Sequence, residues 1–462
     1  MIEYLENLLE AMRPAFSRRA TFAWFVVAFA GFVARSDTFG VSSIVRALWL
    51  APLCYPNLLH FFHSTAWSGA HLLRLWRGWL AREERLYRVD GRIVLIGDHT
   101  KSPKDGRRIP ALETLHQDSE TASKPSFFRG HHWGALAVLL RAGKKFFATP
   151  LWAEIHREHL HGSRATRIVA VAGEIAREMR SKAWLVLDAY FAVGPVFETA
   201  AKFNDNIHIV TRAKKNVVAY MPPVQKKRSS PKKGRPRIYG KKLKLHKLFD
   251  KQRDKFLSAT AVIYGERETV RCLSLELVWK PIRRTLRFIL AETSRGQIVL
   301  MTSDLAADPL TVIELYCGRV GIETLFDAVK NTLGGMRYHF WSKYLPPASR
   351  RPARKGTPAP VSAKPEKTEN TVAAIEKFLH VQIIVTGALQ LLACRFGSQI
   401  DVAANCWLRT PCGEIPSLFV TRTALANIIR THLIDFAKDW ITQLILQKQN
   451  PRKNHAHLQK AA

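Results

Sequence analysis

The sequence predicts an α/β protein: a mixed-sheet core interrupted by a β-rich insertion and flanked by N- and C-terminal helical regions. Three observations carry this. Residues 92–98 (RIVLIGD) and 183–188 (AWLVLD) are apolar runs of strand length, each ending on an aspartate. Residues 1–88 and 371–462 carry apolar side chains at helical spacing, most clearly in 2–13, 40–50, 64–80, 371–395 and 418–446. Between the second aspartate, Asp188, and the next candidate acid, Glu323, lie 134 residues, too many for one helix and a turn, so a further unit is inserted there.

Taken in order, residues 1–88 form a helical region. Its most apolar stretch, 20–34, is about fifteen residues long, shorter than the roughly 20 of a membrane span, and is expected to be a core helix. The core begins in 89–214. After the strand ending at Asp98 comes a polar stretch, 99–130, whose Lys101, Lys104, Arg107 and Arg108 suit either a phosphate-contacting loop or a surface excursion. A hairpin follows at 134–141 and 145–152 around Ala142-Gly143-Lys144, then a helix at 164–181 and strands at 183–188 and 206–211. Residues 215–296 form the basic insertion, with alternating stretches near 257–264 and 270–279. The core resumes in 297–345 with a strand at 297–302 and a helix at 309–333, capped by Asp308, opened by Pro309 and stopped by Gly334-Gly335. Residues 346–370 have the composition of a flexible basic linker, and 371–462 are helical again.

Charge narrows the function. With 71 Lys plus Arg against 37 Asp plus Glu, a formal charge of +34 and a pI near 10.3, the chain is too basic for an enzyme of neutral substrates. Nucleic acid is the expected partner. A membrane-surface or ribosomal role would explain the charge alone, but 47% hydrophobic content with 12 Trp describes large folded cores, and 462 residues point to more than one domain. The cysteines at 54, 272, 317, 394, 406 and 412 contain no Cys-x2-Cys pair, which fits a reduced cytosolic setting with buried thiols. His156, His159 and His161 lack the spacing of a zinc helix and read as solvated or packing side chains.

The chemistry concentrates in one helix. Tyr316, Arg319, Glu323 and Lys330 fall within an arc of roughly 60° on an ideal helix. Such a face is either a solvated salt-bridging surface or the border of a cleft. Asp98 and Asp188 at strand ends favour the cleft, because two aspartates and a glutamate suit a divalent-metal phosphoryl-transfer site of one or two Mg²⁺ or Mn²⁺ ions. Residues 226–247 add eleven Lys or Arg and no acid. Within them Lys232, Lys233, Arg235 and Arg237 surround a Gly-Arg-Pro-Arg core similar to a minor-groove hook. Trp279, beside Lys280, Arg283 and Arg284, is equally suited to stacking on a displaced base and to the core.

Tyr316, Arg319, Glu323 and Lys330 reproduce a Tyr-x2-Arg-x3-Glu-x6-Lys signature. Asp98-His99-Thr100 resembles a first Asp-x-Thr box, and Asp188-Ala189-Tyr190-Phe191 a second Asp-x-x-aromatic box. In this order the boxes make the chain resemble the DDE transposases of bacterial insertion sequences, insertion sequence 4 type, from about residue 88 to 345. The resemblance implies a ribonuclease-H-like core in which Asp98, Asp188 and Glu323 hold two Mg²⁺ ions, with Mn²⁺ as substitute. It implies hydrolysis at the element ends, joining of the freed 3′-hydroxyl to target DNA, and a homodimer on double-stranded DNA bearing terminal inverted repeats. Tyr316 and Lys330 would contact the phosphate next to the cut, Arg319 would orient the helix or the DNA backbone, and 1–88 would bind the element end or only prop up the core. The other readings are a catalytically silent DNA-binding derivative and a ribonuclease-H-like nuclease without strand transfer. No membrane partner is expected.

Overall fold

The computed structural model describes residues 1–117, 125–143, 145–223, 237–353, 360–408, 413 and 415–449. The N-terminal region is helical: α1 (Ile2–Ala11), α2 (Arg19–Ala34), α3 (Ser42–Ala47), α4 (Cys54–His63) and α5 (Gly69–Leu80). In α2, Phe25, Val26, Val27, Phe29, Phe32 and Val33 are all buried, so no face of this helix is left for water. A helix apolar all round must be enclosed by other elements.

The sheet follows. Its strands are β1 (Arg88–Val89), β2 (Arg92–Pro103), β3 (Glu113–His116), β4 (Phe127–Ala142) and β5 (Lys145–Ile155). After helices α6 (Glu158–His161) and α7 (Arg164–Glu178) come β6 (Ala183–Leu187), α8 (Gly194–Ala201) and β7 (Ile207–Arg212). These core strands lie in the spatial order β5-β4-β2-β6-β7, antiparallel from β5 to β2 and parallel from β2 to β7. The polar stretch after Asp98 is less of a loop than its composition predicts: β2 continues to Pro103 and β3 pairs with β4.

Beyond β7 the sheet continues rather than stopping. Strands β8 (Val218–Tyr220), β9 (Lys242–Lys244), β10 (Leu257–Ile263), β11 (Glu266–Trp279), β12 (Arg284–Thr293) and β13 (Gly296–Thr302) join it, with the short helix α9 (Leu248–Lys251) between β9 and β10. The boundary expected at 296 falls in the turn of the β12–β13 hairpin, where Thr293 faces Gly296. Since β13 pairs with β7, the insertion is hydrogen-bonded into the core sheet. The reason is edge chemistry: β7 would otherwise present unpaired N–H and C=O groups.

The chain closes with α10 (Pro309–Cys317), α11 (Val320–Asp327), α12 (Pro365–Arg395), α13 (Gly397–Ala404), α14 (Leu418–Ile434) and α15 (Trp440–Gln449). The helix starting at 365 shortens the expected linker, and the stretch 418–446 divides into two helices. α12 has the length and hydropathy of a membrane span, yet 78% of that stretch is buried inside the protein, against β5, α2, α4, α5 and α14. Thus α12, α14 and α15 wrap α2, and the two ends of the chain share one helical layer.

That layer meets the sheet at Gly387 of α12. A Cβ there would stand 2.1 Å from Cζ2 of Trp76, a fully buried ring whose indole N–H donates to Pro150 O at 2.8 Å. Because the indole is pinned, Gly387→Ala is expected to cost about 2–3 kcal/mol as overpacking, read as a lower urea midpoint. An unchanged midpoint would show that the two layers separate easily.

Candidate active site

β2 and β6 run parallel with Ile96 opposite Val186, so two residues further on Asp98 and Asp188 emerge level with one another. Neighbouring strands lie about 4.8 Å apart and side chains alternate, so both carboxylates leave the sheet on one face. Gly97 points to the other face, where a Cβ would lie 2.7 Å from Ile168 of α7. Helix α11 packs on the face that Asp98 uses.

Local hydrogen bonds fix both aspartates. Asp98 Oδ1 accepts from the His99 backbone N–H at 2.7 Å. Asp188 Oδ1 accepts from the Tyr190 N–H at 2.9 Å, and its carbonyl accepts from the Thr211 hydroxyl of β7 at 2.5 Å. The His99 ring stacks on Phe191, with centroids 5.4 Å apart and planes 8° apart, so it joins the segment after Asp98 to the one after Asp188. The aromatic that closes the second box, Phe191, is the one sequence signal of this role for His99.

The helix expected over 309–333 is not regular. Asp308 caps it as its sequence predicts, its side chain accepting from Thr311 N–H at 2.8 Å. At Gly318 and Arg319 the hydrogen bonds tighten to three-residue spacing, Arg319 N to Tyr316 O at 3.2 Å and Gly321 N to Gly318 O at 3.1 Å. Residues 328–332 then widen into a π turn, a feature frequent at functional sites. Packing supports the kink: a Cβ on Gly318 would lie 3.0 Å from Leu139, and one on Gly321 3.2 Å from Ala148. Glycine therefore lets the helix sit close on the β4–β5 hairpin, with Tyr316, Arg319 and Glu323 turned the other way.

Arg319 links the helix to the sheet. One guanidinium nitrogen donates to Glu323 Oε1 at 2.5 Å, and the other lies 3.5 Å from Asp98 Oδ2. Asp98 is nevertheless pushed up to about 6, by burial first and by the Asp188 charge next, with the His99 N–H and Arg319 opposing. Asp188 is also raised, chiefly by burial, with Glu323 adding to it. The three acids thus share one field, and a single guanidinium does not offset it. Burial also raises Tyr316, which keeps its hydroxyl protonated, and lowers Lys330.

Hard oxygen donors crowded in a partly buried site fit Mg²⁺ or Mn²⁺ by donor type and by charge. Among the described residues, no group of three or more His, Cys, Asp or Glu stands in ligating arrangement, and Glu323 is paired with Arg319. The fit therefore rests on the donor set and on the excess negative charge.

Other candidates separate clearly. Trp279 is buried with its ring edge on Phe197 at 5.4 Å, so it belongs to the core and offers no face to a base. Of its two readings the core one holds: Arg284 pairs with it across the β11–β12 ladder, but the ring itself is covered by Phe197. Arg319 faces the carboxylates of Glu323 and Asp98. Lys104 is also turned inward, its ammonium 3.8 Å from the Tyr338 ring centroid and donating to Met336 O at 2.5 Å. Arg237 is exposed, whereas Lys232, Lys233 and Arg235 lie outside the described residues.

Two carboxylates thus stand level at the ends of adjacent parallel strands, in a chain of formal charge +34. The chain belongs to the family described as DDE superfamily endonuclease, whose model matches residues 11–269. That span includes Asp98 and Asp188 and ends before Glu323. Among solved structures the chain is similar to the piggyBac transposase synaptic complex with hairpin DNA, seen by cryo-electron microscopy. The match has 10% identity and a TM-score of 0.36 over 92% of this chain and 75% of that one, too loose a likeness to transfer any residue. No curated protein matches the sequence.

Proposed function

We propose that the protein is a metal-dependent DNA transposase that hydrolyses the ends of its insertion sequence and joins the freed 3′-hydroxyl to target DNA. The observation that carries this is the level placement of Asp98 and Asp188 on adjacent parallel strands, with Glu323 tied to the same site through Arg319. The strand order β5-β4-β2-β6-β7, three antiparallel and then parallel, supports a ribonuclease-H-like core. Family membership supports an endonuclease, and the charge of +34 supports DNA as its partner.

Asp98, Asp188 and Glu323 would hold the ions, which supply Lewis acidity to phosphoryl oxygens and a more acidic bound water. The chain's own groups do the rest. Tyr316, kept protonated, offers an O–H donor beside Asp188, and Lys330 on the π turn would add a cation to the phosphate contact. Charge that develops on phosphoryl oxygens is stabilised by such fixed donors. Arg319 holds Glu323 and Asp98 in register. In this reading the N-terminal helices contact the element end, the basic run around Arg237 tracks the backbone, and two copies pair the ends.

The test is direct. Purified protein with Mn²⁺ and a duplex carrying the repeat that flanks the gene is expected to give nicks ending in 3′-hydroxyl at the repeat boundary, resolved on a denaturing gel. With an unlabelled target present, the same end should become covalently joined to it. Tight binding without cleavage at several metals would move the assignment to the silent DNA-binding reading, and nicks without joining to the simple nuclease.

A further inference from the structure

After the π turn the chain runs from Met336 to Leu345 with a two-residue alternation in burial. Tyr338, Phe340 and Ser342 face inward, whereas Arg337, His339, Trp341 and Lys343 face outward. The inward side is strongly anchored. The Tyr338 hydroxyl is 2.7 Å from His131 Nδ1 and accepts from the Trp133 indole at 3.2 Å. Phe340 packs on Phe62 and Phe378, and the Ser342 hydroxyl is 3.2 Å from that of Thr368. The outward residues are therefore presented by a fixed backbone.

Against this segment lies the turn after β2. Ser342 N–H donates to Arg108 O at 3.0 Å, Ala348 N–H donates to Arg107 O at 2.8 Å, and Arg107 Nε returns a bond to Ala348 O at 3.1 Å. Between the two segments is an open cavity of about 460 Å³, lined by Gly106, Arg107, Arg108, His339, Trp341 and Pro347. Trp341 is 55% exposed, so its ring is accessible from the cavity side. Asp105 is the lone acid in 104–108 and 337–351, which also hold Lys104, Arg107, Arg108, Arg337, Lys343, Arg350 and Arg351.

We propose that this cavity is a binding site for an unpaired nucleobase, stacked on Trp341 beside His339 with its neighbouring phosphates on Arg107 and Arg108. Two features select this ligand. A fixed, exposed indole gives any base a π face, and guanidiniums on the same rim fit the phosphates that flank it. Moreover, the two segments follow directly from the elements that carry Asp98 and Lys330, so DNA leaving the carboxylate site would reach this rim. The proposal rests on the DNA reading above, and it moves the aromatic contact from Trp279, which is buried, to Trp341.

The test uses the full chain and three fluorescein-labelled DNAs: a blunt duplex, the same duplex with a single-stranded thymidine tail, and one with an internal bubble. Trp341→Ala is expected to weaken binding to DNA with unpaired bases about tenfold and to change blunt-duplex binding less than twofold, with Trp341→Phe restoring most of the loss. Loss confined to the tailed DNA would assign the site to the strand end, and loss confined to the bubble to deformed target DNA. A base analogue, 2-aminopurine, at the unpaired position should be quenched by the wild type and less so by Trp341→Ala. Equal loss on all three DNAs, or none on either unpaired one, would overturn the platform while leaving the DNA reading intact. A wild type that binds none of them would overturn both.

Discussion

Glu323→Gln is expected to lower metal-dependent nicking of end DNA by about 10³-fold while leaving the affinity for that DNA within about twofold. The substitution is nearly isosteric and its site is open, the Glu323 side chain being 56% exposed, so unfolding does not account for the loss. What changes is charge. The Asp188 and Glu323 charges raise the proton affinity of Asp98, Glu323 also raises that of Asp188, and removing one of three carboxylates removes a share of the negative field that attracts a divalent ion. Arg319 then keeps Asp98 as its remaining carboxylate partner in the site. Comparing wild type and variant on a denaturing gel, with affinity followed by anisotropy, separates the two effects. Nicking that survives within tenfold would remove Glu323 from the catalytic set, and a parallel fall in affinity would make it a binding residue.

The second large effect concerns stability and pH. Glu376 of α12 accepts a hydrogen bond from the Ile155 N–H at 3.1 Å, and burial, with Glu154 adding like charge, pushes its carboxyl up from 4.5 to about 7. Below pH 4.5 the group is protonated whether the chain is folded or not, and it costs nothing. Between 4.5 and 7 the unfolded chain ionises first, so unfolding releases a proton and stability falls as pH rises. Above 7 the full cost, about 3 kcal/mol at roughly 1.4 kcal/mol per tenfold, is present. Glu376→Gln keeps an oxygen for the Ile155 N–H and cannot ionise. The variant is therefore expected to gain on the wild type by about 3 kcal/mol between pH 4 and pH 8, read from urea denaturation at both values. A difference that stays constant with pH would show that Glu376 is ionised in the folded protein at pH 5.

These two residues also mark how far the sequence could be read. Asp98, Asp188 and Glu323 were legible because each closes or sits in a strongly patterned element, two strand-length apolar runs and one capped helix. Glu376 was not, since nothing in the α12 pattern reports that β5 will cover it. Trp279 and Trp341 make the same contrast. Both stand near cations in the sequence, and only the sheet register, which buries the first, and the anchoring of Tyr338, Phe340 and Ser342, which exposes the second, tell them apart.

By itself the sequence determined the element types, the basic charge and the order of the acidic boxes. Those depend on local periodicity and composition, which a chain carries in every conformation. Tertiary structure decided the rest: that β13 extends the core sheet, that the N- and C-terminal helices share one layer around α2, that the helix carrying Glu323 tightens at Gly318 and widens after Asp327, and that Arg319 faces carboxylates. Each of these depends on a partner distant in sequence, a strand edge needing hydrogen bonds, an all-apolar helix needing cover, or a guanidinium meeting two charges. No local pattern encodes which partner will be there.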